Sequence, residues 1–187
     1  TPAHLQSQGW LRALERLSDP RLSPAFTGCG VLWLEPPRHP LSQVDSGHPW
    51  WQRHVWRVDA AEATALAGVS LDHGGLWFPA GGIIDTRTLL DALLTHPGIT
   101  VSCRSRLQDM RAEDSRWRLT LADGRQLETT HLVLAQAGDV TALPAAASLP
   151  LKPVRGQISL VPASLPLRTV LCQSGYLTPA LAGQLSL

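Results

Sequence analysis

Residues 149–181 read LPLKPVRGQISLVPASLPLRTVLCQSGYLTPAL, and this stretch decides the expected fold. A segment leading into a strand is predicted at 153–157, where the sequence is Pro-Val-Arg-Gly-Gln. A second strand is predicted to end in Gly-Tyr-Leu-Thr-Pro at 175–179. Short apolar runs bounded by proline and glycine are typical of strands. This part of the chain is therefore expected to contribute to a sheet.

A second informative block reads GGLWFPAGGIID at 74–85 and continues as TRTLLDALLTH at 86–96. Asp85 is predicted to cap the amino end of a helix with its carboxylate, a position that aspartate favours. The helix is expected to end at Pro97-Gly98, because proline cannot continue it. Its leucines recur at helical spacing, which predicts one apolar face formed by Leu89, Leu90, Leu93 and Leu94.

Further strands are predicted downstream of this helix. Residues 99–101 are expected to begin a strand, and apolar residues alternate through Trp117, Leu119 and Leu121 before Asp123-Gly124, a hairpin turn signal. The unbroken apolar run at 132–135, Leu-Val-Leu-Ala, is typical of a strand that is buried on both faces of a sheet.

The amino-terminal part predicts two helices and a strand. A helix through Leu5, Leu11, Leu14 and Leu17 is expected to stop at 18–20, Ser-Asp-Pro. A strand is predicted at Val31–Leu34, followed by a loop through Pro36, Pro37 and Pro40. A second helix is expected to begin at Asp59, which forms a capping-box pattern with Glu62, and to end near Gly68.

The composition is that of an ordinary globular chain. The net charge is +1 at pH 7 and the pI is about 7.8, so no basic footprint for nucleic acid is present. The basic residues are fifteen arginines and one lysine, Lys152, which we interpret as the codon bias of a GC-rich genome. Composition alone is therefore neutral about RNA.

Several classes of site and location are not expected. Cys29, Cys103 and Cys172 form no C-x-x-C pair, and no two histidines have an H-x-H or H-E-x-x-H spacing. Neither a disulfide framework nor a metal site is therefore predicted. The apolar stretches fall short of the ~20 residues that a membrane-spanning helix needs, and nothing resembles a signal peptide. Free thiols and a cytoplasmic location are expected.

Residues 79–85, Pro-Ala-Gly-Gly-Ile-Ile-Asp, resemble the Pro-x-Gly-Gly-x-(Val/Ile)-Asp-Pro-x-x-Leu pattern of FAD-dependent oxidoreductases of the D-amino-acid oxidase (DAO) superfamily, with Thr86 in place of the usual proline. The order of blocks over 74–181 also follows that superfamily. A narrower resemblance is to the FAD-dependent domain of the bifunctional enzymes that finish 5-methylaminomethyl-2-thiouridine in tRNA. It rests on four segments, at 28–32, 134–139, 154–159 and 170–179.

The resemblance implies an α+β fold, in which part of an FAD-binding α/β domain joins part of an antiparallel-sheet substrate domain. Residues 1–96 are expected to be mainly substrate or cap domain, 97–148 an FAD-domain segment, and 149–187 a return to the substrate domain. No Gly-x-Gly-x-x-Gly fingerprint occurs, and the chain starts at Thr1 rather than Met. We therefore expect an interior piece of a flavoenzyme, with further amino- and carboxyl-terminal parts of the same polypeptide outside it.

The resemblance also implies a cofactor site. Leu107 falls where a strand meets the adenine end of FAD, and Ala135, Gln136 and Ala137 follow a strand whose carboxyl end is expected to face the nucleotide. The related enzymes more often have asparagine where Gln136 stands.

Five more residues are candidates for the flavin or substrate face. Arg155 offers a fixed fork of donors for a carboxylate, and Gln157 lies beside it in sequence. Two alternatives stay open. In one, Arg155 is an ion-pair or packing residue; in the other, Tyr176 is a core ring rather than a wall of the pocket. Gly81 and Gly82 permit close approach of a ligand, or simply a tight turn before the helix.

The implied reaction is oxidation of a C–N bond in 5-carboxymethylaminomethyl-(2-thio)uridine at the tRNA wobble position. Hydride would pass to the flavin, and hydrolysis of the imine would leave 5-aminomethyl-uridine. A methyltransferase domain outside this chain would then use S-adenosylmethionine. The alternatives are a small-molecule amine oxidase of the glycine or sarcosine type, and an inactive truncated module. This chain by itself is expected to be inactive.

Overall fold

The computed structural model describes residues 2–35, 49–162 and 165–187. The chain divides into two compact units, the first formed by Thr1–Ile99 with Ile158–Leu187, and the second by Thr100–Gln157. The second unit is therefore inserted in the sequence of the first. The predicted loop at Pro36, Pro37 and Pro40 lies outside the described residues.

Four helices are described in the first unit, and local signals determine where they begin and end. The first helix stops before Asp19 and Pro20, as predicted, and the Ser18 N–H still donates to the Leu14 carbonyl at 3.1 Å. The helices are α1 (Pro2–Leu17), α2 (Pro49–His54), α3 (Ala60–Ala67) and α4 (Thr86–Leu94).

The predicted caps of α3 and α4 are confirmed. The Asp59 carboxylate accepts from the Glu62 N–H, and the Glu62 carboxylate accepts from the Asp59 N–H, both at 2.9 Å. Gly68 ends α3 with a φ of 74°, in the left-handed region that glycine adopts without strain. Asp85 accepts from the N–H groups of Arg87 and Thr88, and so satisfies donors that α4 itself leaves unpaired.

A five-stranded sheet forms the centre of the first unit. Its strands are β2 (Val31–Leu34), β3 (Trp56–Val58), β4 (Gly75–Phe78), β10 (Val170–Cys172) and β11 (Tyr176–Leu177). They lie in the order β11-β10-β2-β4-β3, and β10 pairs with β2 in parallel, while the other described pairs are antiparallel. Leu32 on β2 therefore has Leu171 on one side and Trp77 on the other.

Helix α3 covers one face of this sheet. Leu32, Ala63 and Ala67 are fully buried and pack together with Leu167. Small alanines on α3 bring its backbone close to the sheet, so the core is narrow at this point. The predicted strand at Val31–Leu34 is confirmed as β2, with Leu32 at the centre of the core.

Two short antiparallel pairs complete the first unit. β1 (Phe26–Gly28) pairs with β5 (Gly82–Ile84), and β9 (Leu160–Pro162) pairs with β12 (Gln184–Ser186). The β1–β5 pair lies immediately before α4 in sequence, since Asp85 follows β5 directly.

The second unit is a three-stranded meander followed by short 3-10 turns. The strands are β6 (Leu107–Glu113), β7 (Arg116–Leu121) and β8 (Gln126–Thr129), and the predicted Asp123-Gly124 turn joins the last two. A small core forms between the meander and the 3-10 turn at Ala137–Ala142. Its buried residues are Val140, Leu143 and Ala146, with Leu107, Met110 and Leu134 packed against them.

Two strand predictions are wrong, because residues 99–101 and 132–135 form no strand. The segment 153–157, which was predicted to lead into a strand, has no regular structure itself, and β9 begins at Leu160. Val133 is 85% exposed and Val154 is 84% exposed, so neither lies in a sheet interior. An apolar run becomes a buried strand only where neighbouring strands and a covering layer are present, and the described residues offer these segments neither.

The described architecture is α+β, as predicted, with helices set against mixed and antiparallel sheets. The assignment of segments 1–96, 97–148 and 149–187 to substrate and FAD domains stays a prediction. Among the described residues, no helix combines the length and the apolar character that crossing a membrane requires.

Candidate cofactor and substrate sites

The second unit contains a cleft that we call the Leu107 cleft. Its volume is about 1000 Å³, at the upper end of the range typical of ligand clefts. Leu107 at the start of β6 and Gln136 after the 132–135 run both line it, although they are distant in sequence. Two of the four predicted cofactor residues therefore meet in one cleft. The remaining lining comes from Ser105, Arg106, Gln108, Ala122, Asp139, Ala142 and Leu143.

Ala135 and Ala137 flank Gln136 in sequence and are exposed. Ala137 has a φ of 50°, in the left-handed region that a residue with a Cβ rarely adopts. Strained backbone of this kind is concentrated at functional sites, where the surrounding structure holds it in place. Here the conformation turns the chain directly into the 3-10 turn whose Val140 is buried in the core.

A polar network supports one wall of the Leu107 cleft. The Arg125 guanidinium donates to the Asp123 carboxylate at 2.7 Å and to the Ser105 hydroxyl at 2.8 Å. The Ala122 N–H donates to the Arg106 carbonyl at 2.8 Å. These bonds join the segment before β6 to the β7–β8 turn, and so fix the position of this wall of the cleft.

The residues around the Leu107 cleft fit the adenosine end of a dinucleotide. They combine an apolar side chain at Leu107, an amide at Gln136, a cation at Arg106 and a carboxylate at Asp139. Ligand sites are typically apolar with a few polar groups that fix orientation, and a carboxylate suits ribose hydroxyls. Arg106 and Asp139 were not identified as site residues from the sequence, although Asp139 ends the 134–139 segment on which the narrower resemblance rests.

Arg155 and Gln157 contact each other. The Arg155 Nη2 donates to the Gln157 Oε1 at 3.0 Å, and both side chains are exposed. Among the described residues, Arg155 forms no ion pair with a carboxylate. The pair leaves most of the guanidinium fork available to a ligand.

Tyr176 lines a small apolar cavity in the first unit. The cavity has a volume of about 240 Å³, and Cys172, which pairs with Tyr176 across β10 and β11, lies beside it. Tyr176 is 42% exposed, so its ring is not buried among the described residues. Leu34 and Leu177 give the cavity its apolar walls.

Gly81 and Gly82 lie where backbone and side chains of the first unit approach each other closely. A Cβ at Gly82 would stand 2.2 Å from the Thr27 carbonyl oxygen, and one at Gly81 would stand 2.6 Å from Val31 Cγ2. The Gly81 carbonyl also accepts from the Gly30 N–H at 2.9 Å. The β1–β5 pairing requires Gly82, while Gly81 is constrained by Val31 of β2. The prediction of both glycines as a ligand face stays untested.

The thiols fit the expected free state. Burial raises the pKa of Cys29 and of Cys172, so both thiols stay protonated near neutral pH. Cys103 is exposed. Within residues 2–35, 49–162 and 165–187, no cluster of three or more histidine, cysteine or acidic side chains is placed to hold a metal ion.

A family match defines the class of protein to which the chain belongs. The family model described as FAD dependent oxidoreductase (DAO) matches residues 2–187. The chain belongs to this family.

Curated relatives within the family are bifunctional enzymes of tRNA modification. The chain is 44% identical over 142 residues to the tRNA 5-methylaminomethyl-2-thiouridine biosynthesis bifunctional protein MnmC of Nitrosospira multiformis, which covers 72% of this chain and 23% of the relative. It is 37% identical over 191 residues to the protein of the same name from Chromohalobacter salexigens, and the aligned region covers 98% of this chain and 26% of the relative. The chain thus spans about a quarter of these relatives.

Solved structures support the fold. Iminodiacetate oxidase from Chelativorans sp. BNC1 superposes with a TM-score of 0.59 at 19% identity, covering 97% of this chain and 53% of that chain. A thermally stable mutant of fructosyl peptide oxidase superposes with a TM-score of 0.71 at 14% identity, covering 94% of this chain and 48% of that chain. At these identities the likeness concerns the fold alone.

Proposed function

We propose that the chain is part of an FAD-dependent oxidoreductase that acts on 5-carboxymethylaminomethyl-(2-thio)uridine at the wobble position of tRNA. The observation that carries the proposal is the 44% identity to a relative named for this modification, within a family match over residues 2–187. The larger protein would also contain a methyltransferase that uses S-adenosylmethionine, and it would act in the cytoplasm, where its tRNA substrate is found.

The proposed reaction removes the carboxymethyl group from the amine. The N–CH2 bond to the carboxymethyl carbon loses two electrons and two protons and becomes C=N. Water then adds to the imine carbon, and the C–N bond breaks to leave the primary amine on the uridine and a two-carbon oxo acid. FAD, when bound, supplies the two-electron acceptor, while the protein contributes binding, orientation and electrostatics.

Arg155 is the proposed partner of the substrate carboxylate. A guanidinium binds a carboxylate through two parallel N–H donors, and Arg155 has no competing carboxylate among the described residues. Gln157, which accepts from Arg155 at 3.0 Å, would hold the fork in place. Tyr176 and the cavity beside it belong to the first unit and stay a separate proposal for the flavin or substrate face.

The Leu107 cleft is the proposed site for the adenosine end of FAD. We expect Gln136→Ala in the full-length protein to weaken FAD binding about three- to tenfold, the loss of roughly one hydrogen bond. The measurement is flavin fluorescence during titration. Gln126→Ala on β8 is the matched control, because Gln126 is exposed and does not line the cleft. Equal FAD affinity in both variants would count against the site.

The function is tested by nucleoside mass spectrometry on tRNA carrying 5-carboxymethylaminomethyl-2-thiouridine, incubated with the full-length, FAD-loaded protein. Conversion to the aminomethyl nucleoside supports the proposal. Oxidation of glycine or sarcosine without any change in the tRNA would favour a small-amine oxidase, and a protein that binds no FAD would be an inactive module.

Arg155→Ala should raise the KM for the tRNA more than it lowers kcat, whereas Arg111→Ala should change neither.

A further inference from the structure

The first unit contains a second cleft, lined by arginines and distinct from the Tyr176 cavity; we call it the arginine cleft. Its volume is about 500 Å³. Arg12 and Arg16 of α1 and Arg21 in the turn after it line one side. His96 and Ile99, which follow α4, line the other. None of these residues was predicted from the sequence as a site residue.

The ion pairs in the arginine cleft are exposed and weak. Arg12 donates to the Glu15 carboxylate at 2.8 Å and Arg21 to the Asp19 carboxylate at 2.7 Å. Arg12 and Arg21 are 74% and 73% exposed, so water and salt screen both pairs. An anion of higher charge can therefore compete with these carboxylates for the guanidinium groups.

Arg16 is the arginine of this cleft that has no ion pair among the described residues. Three guanidinium groups face two carboxylates here, so the cleft carries a net positive charge even with His96 neutral. The His96 Nδ1 accepts from the Gly98 N–H at 3.1 Å, which leaves the Nε2 of a neutral ring as a donor. The cleft thus provides several donors and one unmatched positive charge.

We propose that the arginine cleft binds phosphodiester groups of the tRNA substrate, an inference that rests on the proposed function. Guanidinium groups bind phosphate oxygens in pairs. Side chains that are about three-quarters exposed suit a surface-tracking polyanion better than a small ligand that must be enclosed. The nearly neutral composition does not contradict this, because the positive charge that matters is concentrated in one cleft.

The test is tRNA binding by the full-length, FAD-loaded protein, measured by fluorescence anisotropy over a series of salt concentrations. We expect Arg16→Glu to weaken binding about tenfold and to reduce the slope of log K against log salt by about one phosphate contact. Arg16→Lys should retain most of the affinity. Arg111→Glu is the matched control, since Arg111 is 73% exposed and paired with Asp109 on β6, outside the cleft.

The outcomes separate this inference from the proposed function. Wild-type conversion of the tRNA nucleoside with unchanged affinity and slope in Arg16→Glu would overturn the inference and leave the function standing. Equal losses in Arg16→Glu and Arg111→Glu would also overturn it, because the attraction would then belong to the whole surface. Failure of the wild type to bind tRNA would overturn both. Arg16→Gln, with the urea unfolding midpoint as a check, replaces Arg16→Glu if charge reversal prevents folding.

Discussion

At the scale of one residue, Gly82 was predicted to lie at a ligand face, but close packing inside the protein already requires a glycine at this position. A Cβ there would meet the Thr27 carbonyl oxygen at 2.2 Å and Phe26 Cε2 at 2.8 Å. The first of these neighbours is backbone, so it cannot rotate away. The pairing of β1 with β5 would have to open before any larger residue fitted.

We therefore expect Gly82→Ala to lower the free energy of unfolding by about 1–3 kcal/mol, the range for overpacking a close contact. Gly9→Ala in α1 is the control, because no atom lies within 4 Å of a Cβ at that position. That control should be neutral or slightly stabilising, since alanine favours a helix more than glycine does. Urea denaturation of the full-length protein measures both, and equal midpoints would show that the strands are not closely paired.

Residues with purely local roles were predictable from the sequence. Asp59, Glu62 and Asp85 cap helices through bonds to residues at most three positions away, so their spacing alone specifies the geometry. The meeting of Leu107 with Gln136 was not predictable from spacing. It depends on how the 3-10 turn packs against the meander, and the resemblance to a known family supplied that pair instead.

At the scale of elements, the β6–β7 turn holds two residues with a Cβ in the left-handed backbone region, which lowers the stability of the fold. Asp114 and Ser115 have φ values of 45° and 66°, and Glu113 pairs with Arg116, which makes a two-residue turn with both central residues left-handed. Asp-Gly is a favoured sequence for such a turn. We expect Ser115→Gly to raise the free energy of unfolding by about 0.5–1 kcal/mol. Ser115→Ala should give no gain, because it keeps the Cβ, and a urea series on both variants decides.

Helix α4 should depend on pH through its cap. Hydrogen bonds from the Thr88 hydroxyl and N–H lower the pKa of Asp85 below its usual value of 3.8. Because the pKa of Asp85 is lower in the folded state than in the unfolded state, the ionised carboxylate stabilises the fold at pH values above its unfolded-state pKa. This stabilisation is lost as the pH falls through the folded-state pKa. The wild type should therefore lose more stability than Asp85→Asn between pH 5 and pH 2. Parallel melting temperatures of the two proteins across this window would contradict the prediction.

The strands that were predicted wrongly share one property. Residues 99–101 and 132–135 have apolar sequences, but a strand is stable only when another strand satisfies its backbone groups. The Asp123-Gly124 hairpin was predicted correctly because its partner lies a few residues away. The strand at Val31–Leu34 was also predicted correctly, although its partners β4 and β10 lie far along the chain. A local pattern therefore indicates where a strand can form, and a partner in the fold decides whether it does.

For the whole molecule, the chain passes between the units twice, at 99–100 and at 157–158, and the exposed segment 151–157, which contains no strand or helix, leads into the second of these junctions. We expect trypsin to cut the described part of the chain first after Arg155, because extended, exposed backbone fits a protease most readily. Arg118, which is held in β7, should be cut later. Mass spectrometry of a time course identifies the sites. If FAD and substrate bind as proposed, adding them to the full-length protein should slow this cut, and Arg155→Gln should abolish it.

The parallel pairing of β2 with β10 also has a consequence for synthesis on the ribosome. Val31 lies opposite Val170, so the central strand cannot pair with this neighbour until residues far along the chain have emerged. The β6–β8 meander has only local pairings and can form much earlier. During that interval the edge of β2 is unpaired and open to association with other chains. The inserted unit is therefore expected to mature first, and the sheet that surrounds it in sequence to close last.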